Sequence, residues 1–131
     1  MKSFCDFATG LTLCLAIAGP AAAQDAAHGQ VLFSAECAAC HSTVPGQNGV
    51  GPSLAGVYGS RAGMVPGYKF SVALKQSTIV WTSETLEAFL TDPNSDVTGT
   101  NMPLPGTVMH LGMPNATDRA DVIAYLRTLK Q

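Results

Sequence analysis

Cys37 and Cys40 stand three positions apart in the stretch Ala35-Glu36-Cys37-Ala38-Ala39-Cys40-His41, and an imidazole follows the second thiol directly. Residues of these types at this spacing can belong to a zinc site, a redox disulfide or a covalent anchor for haem. A structural zinc site takes four ligands, commonly from a second Cys or His pair at a regular spacing. No such pair is present, since His28 and His110 are both isolated. A thioredoxin-type pair belongs to a βαβ context, and no strand pattern supplies one. Cys-x-x-Cys-His reads instead as c-type haem attachment, with zinc or a plain disulfide as the remaining alternatives. The chemistry accounts for the spacing. Two thiols one helical turn apart can reach the two vinyl groups along one edge of a haem and form thioethers. An imidazole next in the chain is then held below the iron, and covalent attachment keeps the cofactor from being lost outside a cell.

The 131-residue chain has a formal net charge of −2. Its start reads as an export signal: Lys2 as a thin positive region, a short apolar run from Leu11 to Ala18, and Ala21-Ala22-Ala23 before Gln24 as a small-residue cleavage pattern. The run is too short to span a membrane as a helix. We therefore expect residues 1–23 to be removed and residues 24–131 to form one small domain. Cys5 and Cys14 leave with the signal, so only Cys37 and Cys40 enter the oxidising compartment, where spare thiols tend to pair or be modified. No basic surface points to nucleic acid and no long apolar segment points to a membrane span. A domain of this size buries a modest fraction of its surface, and a cofactor often supplements the core.

The elements that must position these groups are helical. Residues 25–39 carry Val31, Leu32, Ala35 and Ala38 at helical spacing. Residues 83–91 form a second helix, with Ser83 as cap, Glu84 in the first turn and Pro93 beyond its end. Residues 117–130 form the clearest one. Thr117 caps it, Val122, Ile123, Leu126 and Leu129 share a face, and Arg127 and Lys130 suit its negative end. Between them, residues 42–71 hold Pro45, Pro52 and Pro66 among seven glycines (46, 49, 51, 56, 59, 63 and 67) and read as a long structured loop. Residues 92–116, with Pro93, Pro103, Pro105 and Pro114, read as another. Loops of such length are uncommon in a compact domain unless they wrap something. The expected fold is all-α, three or four helices joined by long loops around a large apolar object.

With these residues in view, the chain resembles class I cytochromes c over nearly all of 28–130. The resemblance rests on Gly29, Phe33 and Cys37-Ala38-Ala39-Cys40-His41; on Gly51-Pro52-Ser53-Leu54-Ala55-Gly56; on Pro66-Gly67-Tyr68-Lys69-Phe70-Ser71 and Trp81; on Asp92-Pro93 and Gly99-Thr100-Asn101-Met102-Pro103; and on Asp118 to Leu126. It implies a small cytochrome c fold around one covalently bound haem c. It also implies His41 as one axial iron ligand, a methionine as the other, and the Pro52 carbonyl as partner of the second His41 nitrogen. Two Gly-Thr-x-Met segments compete for the far ligand, Gly99 to Met102 and Gly106 to Met109. Spacing from Trp81 and Pro93 favours Met102, with an insertion in 103–112; Met109 is the alternative, and Met113 is a third methionine nearby. Trp81 could donate its indole N–H to a haem propionate and Thr100 its hydroxyl; both also read as ordinary packing and turn residues. Gly29, Phe33 and Tyr125 look like the crossing of the first and last helices.

Two places depart from the family pattern. Ser60 stands where an Arg often follows the glycine, with Arg61 one position later, and Phe70 stands where a Tyr is common. His28 reads as solvent-facing, and His110, inside the insertion, as a rival iron ligand to check. With both axial positions filled by protein, the expected function is outer-sphere one-electron transfer between redox protein partners, not enzymatic catalysis, by an exported, periplasmic monomer. Two alternatives are a subunit or docking module of a periplasmic dehydrogenase or oxidase, and a haem protein with a labile sixth ligand that binds small molecules.

Overall fold

The computed structural model describes residues 24–102 and 112–131. Among the described residues five helices follow one another: α1 (Ala26–Glu36), α2 (Val72–Gln76), α3 (Ser83–Thr91), α4 (Pro93–Asp96) and α5 (Ala116–Thr128). The only β-type pairing among the described residues is an isolated bridge between Arg61 and Val80. The all-α expectation holds, with two very short helices added to the three that periodicity reveals.

The boundaries follow from caps. Asp25 accepts the N–H groups of Ala27 (2.9 Å) and His28 (3.1 Å), which starts α1. This helix stops at Glu36 and does not reach residue 39. There the amides of Cys40 and His41 both turn back to the Cys37 carbonyl, at 3.0 and 2.9 Å. Thr82, one residue before the expected Ser83, caps α3 in a reciprocal arrangement with Thr85. Asn115, not Thr117, caps α5 through the amides of Thr117 and Asp118. Ser71 caps α2; Asp92 caps α4, with Pro93 in its first turn.

α1 and α5 cross where Gly29 lies against the backbone of Asp121. A Cβ at Gly29 would overlap the Asp121 carbonyl and stand 3.0 Å from the Tyr125 Cβ, so only glycine permits this approach. The Phe33 and Tyr125 rings meet beside it, centroids 5.4 Å apart and tilted by 57°. The buried face of α1 is therefore Gly29 and Phe33, and Val31, which the spacing placed inward, is 64% exposed. On α5, Val122, Ile123 and Leu126 are buried as their spacing predicts. Leu86, Phe89 and Leu90 of α3 complete the same apolar cluster, together with Trp81, Val57 and Leu74. Trp81 is held by pairing with the 59–62 loop: its amide donates to the Ser60 carbonyl (2.9 Å), and its carbonyl accepts from Gly59 (2.8 Å).

His28 is half exposed, yet it is not simply solvated. Its Nδ1 lies 2.9 Å from Oδ2 of Asp121, and the Asp25 amide donates to Oδ1 of the same carboxylate at 2.7 Å. Asp121 is buried at 5% exposure, so these two bonds satisfy a carboxylate on the inner side of α5. The hydrogen bond it donates to Asp121 holds the imidazole above its ordinary value of 6.5. The Asp25 amide, and after it His28, hold the Asp121 carboxyl below its ordinary 3.8. The imidazole's contribution to stability is complete below pH 6.5 and is lost as pH rises through its raised value. That of the carboxylate is complete above pH 3.8 and is lost as pH falls through its lowered value. Thermal midpoints measured against pH should therefore show a plateau between these limits. His28→Gln should flatten the alkaline decline and Asp121→Asn should remove both limbs; an unchanged alkaline slope in His28→Gln would show that the pair contributes nothing.

Candidate cofactor site

The turn that ends α1 delivers Cys37, Cys40 and His41 to the edge of an apolar cavity. The cavity holds about 950 Å³ of empty space, counting the part open at its mouth. Its walls include His41 and Pro52 from the long loop, Trp81, Leu86, Phe89 and Leu90 around α3, Met102, and Leu126 of α5. A smaller hollow of about 400 Å³ shares Cys40, His41, Leu54, Leu90, Met102 and Leu126 and adds Cys37. The two thiols, the imidazole and one thioether thus converge on a common space between α3, α5 and the loop.

His41 is fixed from behind. Its Nδ1 donates to the Pro52 carbonyl at 2.7 Å, which leaves Nε2 as the nitrogen available to a ligand. Burial holds the imidazole below its ordinary range, partly opposed by the Pro52 carbonyl. It is therefore neutral, as a metal ligand must be. The loop carrying Pro52 is stapled at both ends by Asn48. Its Oδ1 accepts from the Ser53 amide at 2.9 Å and its Nδ2 donates to the Pro66 carbonyl at 3.0 Å. Burial pushes the Cys37 thiol up to about 11, with Glu36 and Cys40 adding to it. A reactive disulfide-exchange cysteine needs the opposite shift. No disulfide joins Cys37 to Cys40.

The other residues singled out from sequence fall as follows. Trp81 is buried, lines the cavity and packs against Phe89 with centroids 5.0 Å apart and the rings tilted by 57°. Thr100 lies beside the cavity-lining Asn101, and its Oγ1 is buried without a hydrogen-bond partner among the described residues. Met102 is partly buried in the cavity wall, and Met113 packs on the core. Met109 and His110 lie outside the described residues. Ser60 lines the cavity but donates its hydroxyl to the Val57 carbonyl at 2.7 Å. Arg61, also at the wall, reaches outward to the Ser77 carbonyl at 3.3 Å. Phe70 lines the cavity beside Tyr68, whose hydroxyl donates to the Val50 carbonyl.

Sequence reasoning did not single out Gly51 or Asn48 for their places around His41 and Pro52. Gly51 had a readable signal, its position directly before the proline that holds His41. The residues present suit a flat apolar group tied to two sulfurs and gripped through a neutral imidazole. The wall is mostly apolar, the imidazole is preset, and beside it the buried Thr100 hydroxyl has no hydrogen-bond partner among the described residues.

A Cβ at Gly51 would fall 2.7 Å from Nδ1 and 2.8 Å from Nε2 of His41, closer than such atoms approach. Gly51→Ala must displace either the ring or the loop. We expect a loss of about 1–3 kcal/mol in denaturant unfolding, the usual cost of overpacking; wild-type stability in this variant would show that the loop yields freely.

Comparison with known proteins adds the family. The sequence profile described as "Cytochrome c" matches residues 26–130. The chain is 44% identical over 106 residues to cytochrome c of Euglena viridis, covering 81% of this chain and 98% of that protein. It is likewise 44% identical over 112 residues to cytochrome c2 of Rhodopila globiformis, covering 86% of this chain and all (100%) of the relative. Among solved structures, cytochrome cH from Methylobacterium extorquens matches with a TM-score of 0.69 at 42% identity, over 79% of this chain and 98% of that one.

Proposed function

The chain belongs to the cytochrome c family, and from that premise we propose that His41 and Met102 would hold the iron of its haem. It is an electron-transfer protein rather than an enzyme, carries one covalently attached haem c, and works as a redox carrier with partner proteins. When bound, the haem supplies one-electron chemistry, its iron alternating between ferric and ferrous.

The chain's own residues do the rest. Cys37 and Cys40 anchor the cofactor through thioether bonds. His41 ligates through Nε2 while Nδ1–H bonds the Pro52 carbonyl, which orients the ring and raises its basicity. Met102 offers a thioether from the far segment, a ligand that favours the reduced state and raises the potential. Trp81 and Thr100 hold the propionates, the first through its indole N–H and the second through its hydroxyl; the buried, unpartnered Thr100 Oγ1 supports this role. Leu86, Phe89, Leu90 and Leu126 exclude water, and a low-dielectric wall strengthens each of these polar contacts. The single observation carrying this reading is that His41 and Met102 line the same apolar cavity, with Cys37 and Cys40 at its edge. Residues 1–23 act as a cleaved export signal, and the 24–131 domain works in the periplasm as a monomer. No helix among the described residues is long and apolar enough to cross a membrane.

Absorption spectra of protein made in an export-competent host test the reading. Pigment should survive acid acetone, and the oxidised form should show the weak near-infrared band of methionine-ligated iron. That band should vanish in Met102→Ala and persist in Met109→Ala; loss only in Met109→Ala would move the ligand to the second Gly-Thr-x-Met segment.

A further inference from the structure

Arg119 lies on the inner side of α5 at 8% exposure, an expensive place for a guanidinium without partners. It has them on two other parts of the fold. Its Nε donates to Oε1 of Glu87 at 2.7 Å, and Nη2 stands 2.6 Å from the same oxygen. Nη1 donates to the backbone carbonyl of Met113 at 2.5 Å. Met113 is bound again through its amide, which donates to the Leu90 carbonyl at 2.7 Å. Just before it, buried Gly112 presses against the carbonyls of Leu90 and Thr91 with no room for a Cβ.

These contacts share a destination. The described chain passes the cavity at Met102 and is next described at Gly112 and Met113, where these bonds hold it. Leu90, which receives the Met113 amide, lines both hollows beside Met102. We propose that Arg119 is a positioning residue for the sixth iron ligand. It fixes the returning end of the methionine-bearing segment, and the α3 wall behind that methionine, in one arrangement. A salt bridge with a purely stabilising role would need only the carboxylate. The bond to the Met113 carbonyl is directional and comes from the planar fork that Lys lacks. The inference rests on the proposed ligation by Met102.

The test is competition for the sixth position in the holo-protein. Added imidazole binds the iron only when the methionine is off, so its apparent affinity scales with the open population. Loss of a charge-assisted hydrogen bond corresponds to about a ten- to hundredfold change in that population. We therefore expect Arg119→Ala and Arg119→Lys to bind imidazole about ten- to hundredfold more tightly than the parent, with a weaker near-infrared band and unchanged haem content. Glu87→Gln, which leaves the Met113 bond in place, should shift the affinity less. Gly29→Ala, a destabilised control at the α1–α5 crossing, should lower the thermal midpoint without changing imidazole affinity. Equal shifts in Gly29→Ala and Arg119→Lys would reduce Arg119 to general stability and overturn the inference. So would unchanged affinity in Arg119→Lys. Should Arg119→Ala fail to accumulate, Arg119→Lys and Glu87→Gln decide alone. A parent protein lacking the near-infrared band would overturn methionine ligation itself, and this inference with it.

Discussion

A single hydrogen bond, from His41 Nδ1 to the Pro52 carbonyl, organises the long loop that makes this fold possible. It requires a carbonyl facing a ring, and so a proline turn at residue 52. It also requires that nothing stand between ring and backbone, which makes residue 51 a glycine. Asn48 in turn binds residues 53 and 66, so the turn cannot open from either side. The loop is rigid by cross-bracing through side chains, with almost no regular backbone pairing of its own. That is how a segment rich in proline and glycine forms a wall as definite as a helix.

The last helix gives the opposite wall its rigidity by using charge where apolar contact would be expected. Arg119 and Asp121 both point inward from α5. One reaches α3 and residue 113; the other reaches the cap of α1. Between them, Val122, Ile123 and Leu126 fill the centre. The helix is therefore placed in register by two polar contacts and in depth by three apolar ones. Apolar burial alone is non-directional and would permit sliding.

How much of this was legible in the sequence depends on the distance over which each feature acts. Cys37, Cys40 and His41 are contiguous, so their chemistry could be read from spacing alone. α3 and α5 were visible because their apolar residues repeat at helical spacing. α1 was visible too, and its crossing residues Gly29 and Phe33 were read from the family resemblance, whereas helical spacing alone placed the exposed Val31 inward. Glycine carries no hydrophobic signal, and only the crossing with α5 shows why it is inside. The caps were displaced by one or two residues because Thr82 adjoins Ser83, and Asn115 and Thr117 flank Ala116. Each of these can accept an amide, and the backbone beyond the helix decides which does. α2 and α4 are too short for periodicity to register. Periodicity did not mark Arg119 and Asp121 as inward, because their partners, Glu87 and His28, lie 32 and 93 positions away. The repeated Gly-Thr-x-Met motif left two methionines in contention; Met102 lines the cavity, and Met109 falls outside the described residues.

The crossing at Gly29 joins the first helix of the domain to the last. Gly29 and Phe33 meet Asp121 and Tyr125, so some ninety residues separate partners that must touch. Closing so long a loop carries an entropic cost that local contacts cannot offset in advance, which favours late closure. Until Asp121 and Tyr125 are in place α1 has nothing to cross, so the contact that closes the domain waits on the two helices farthest apart in sequence among those described.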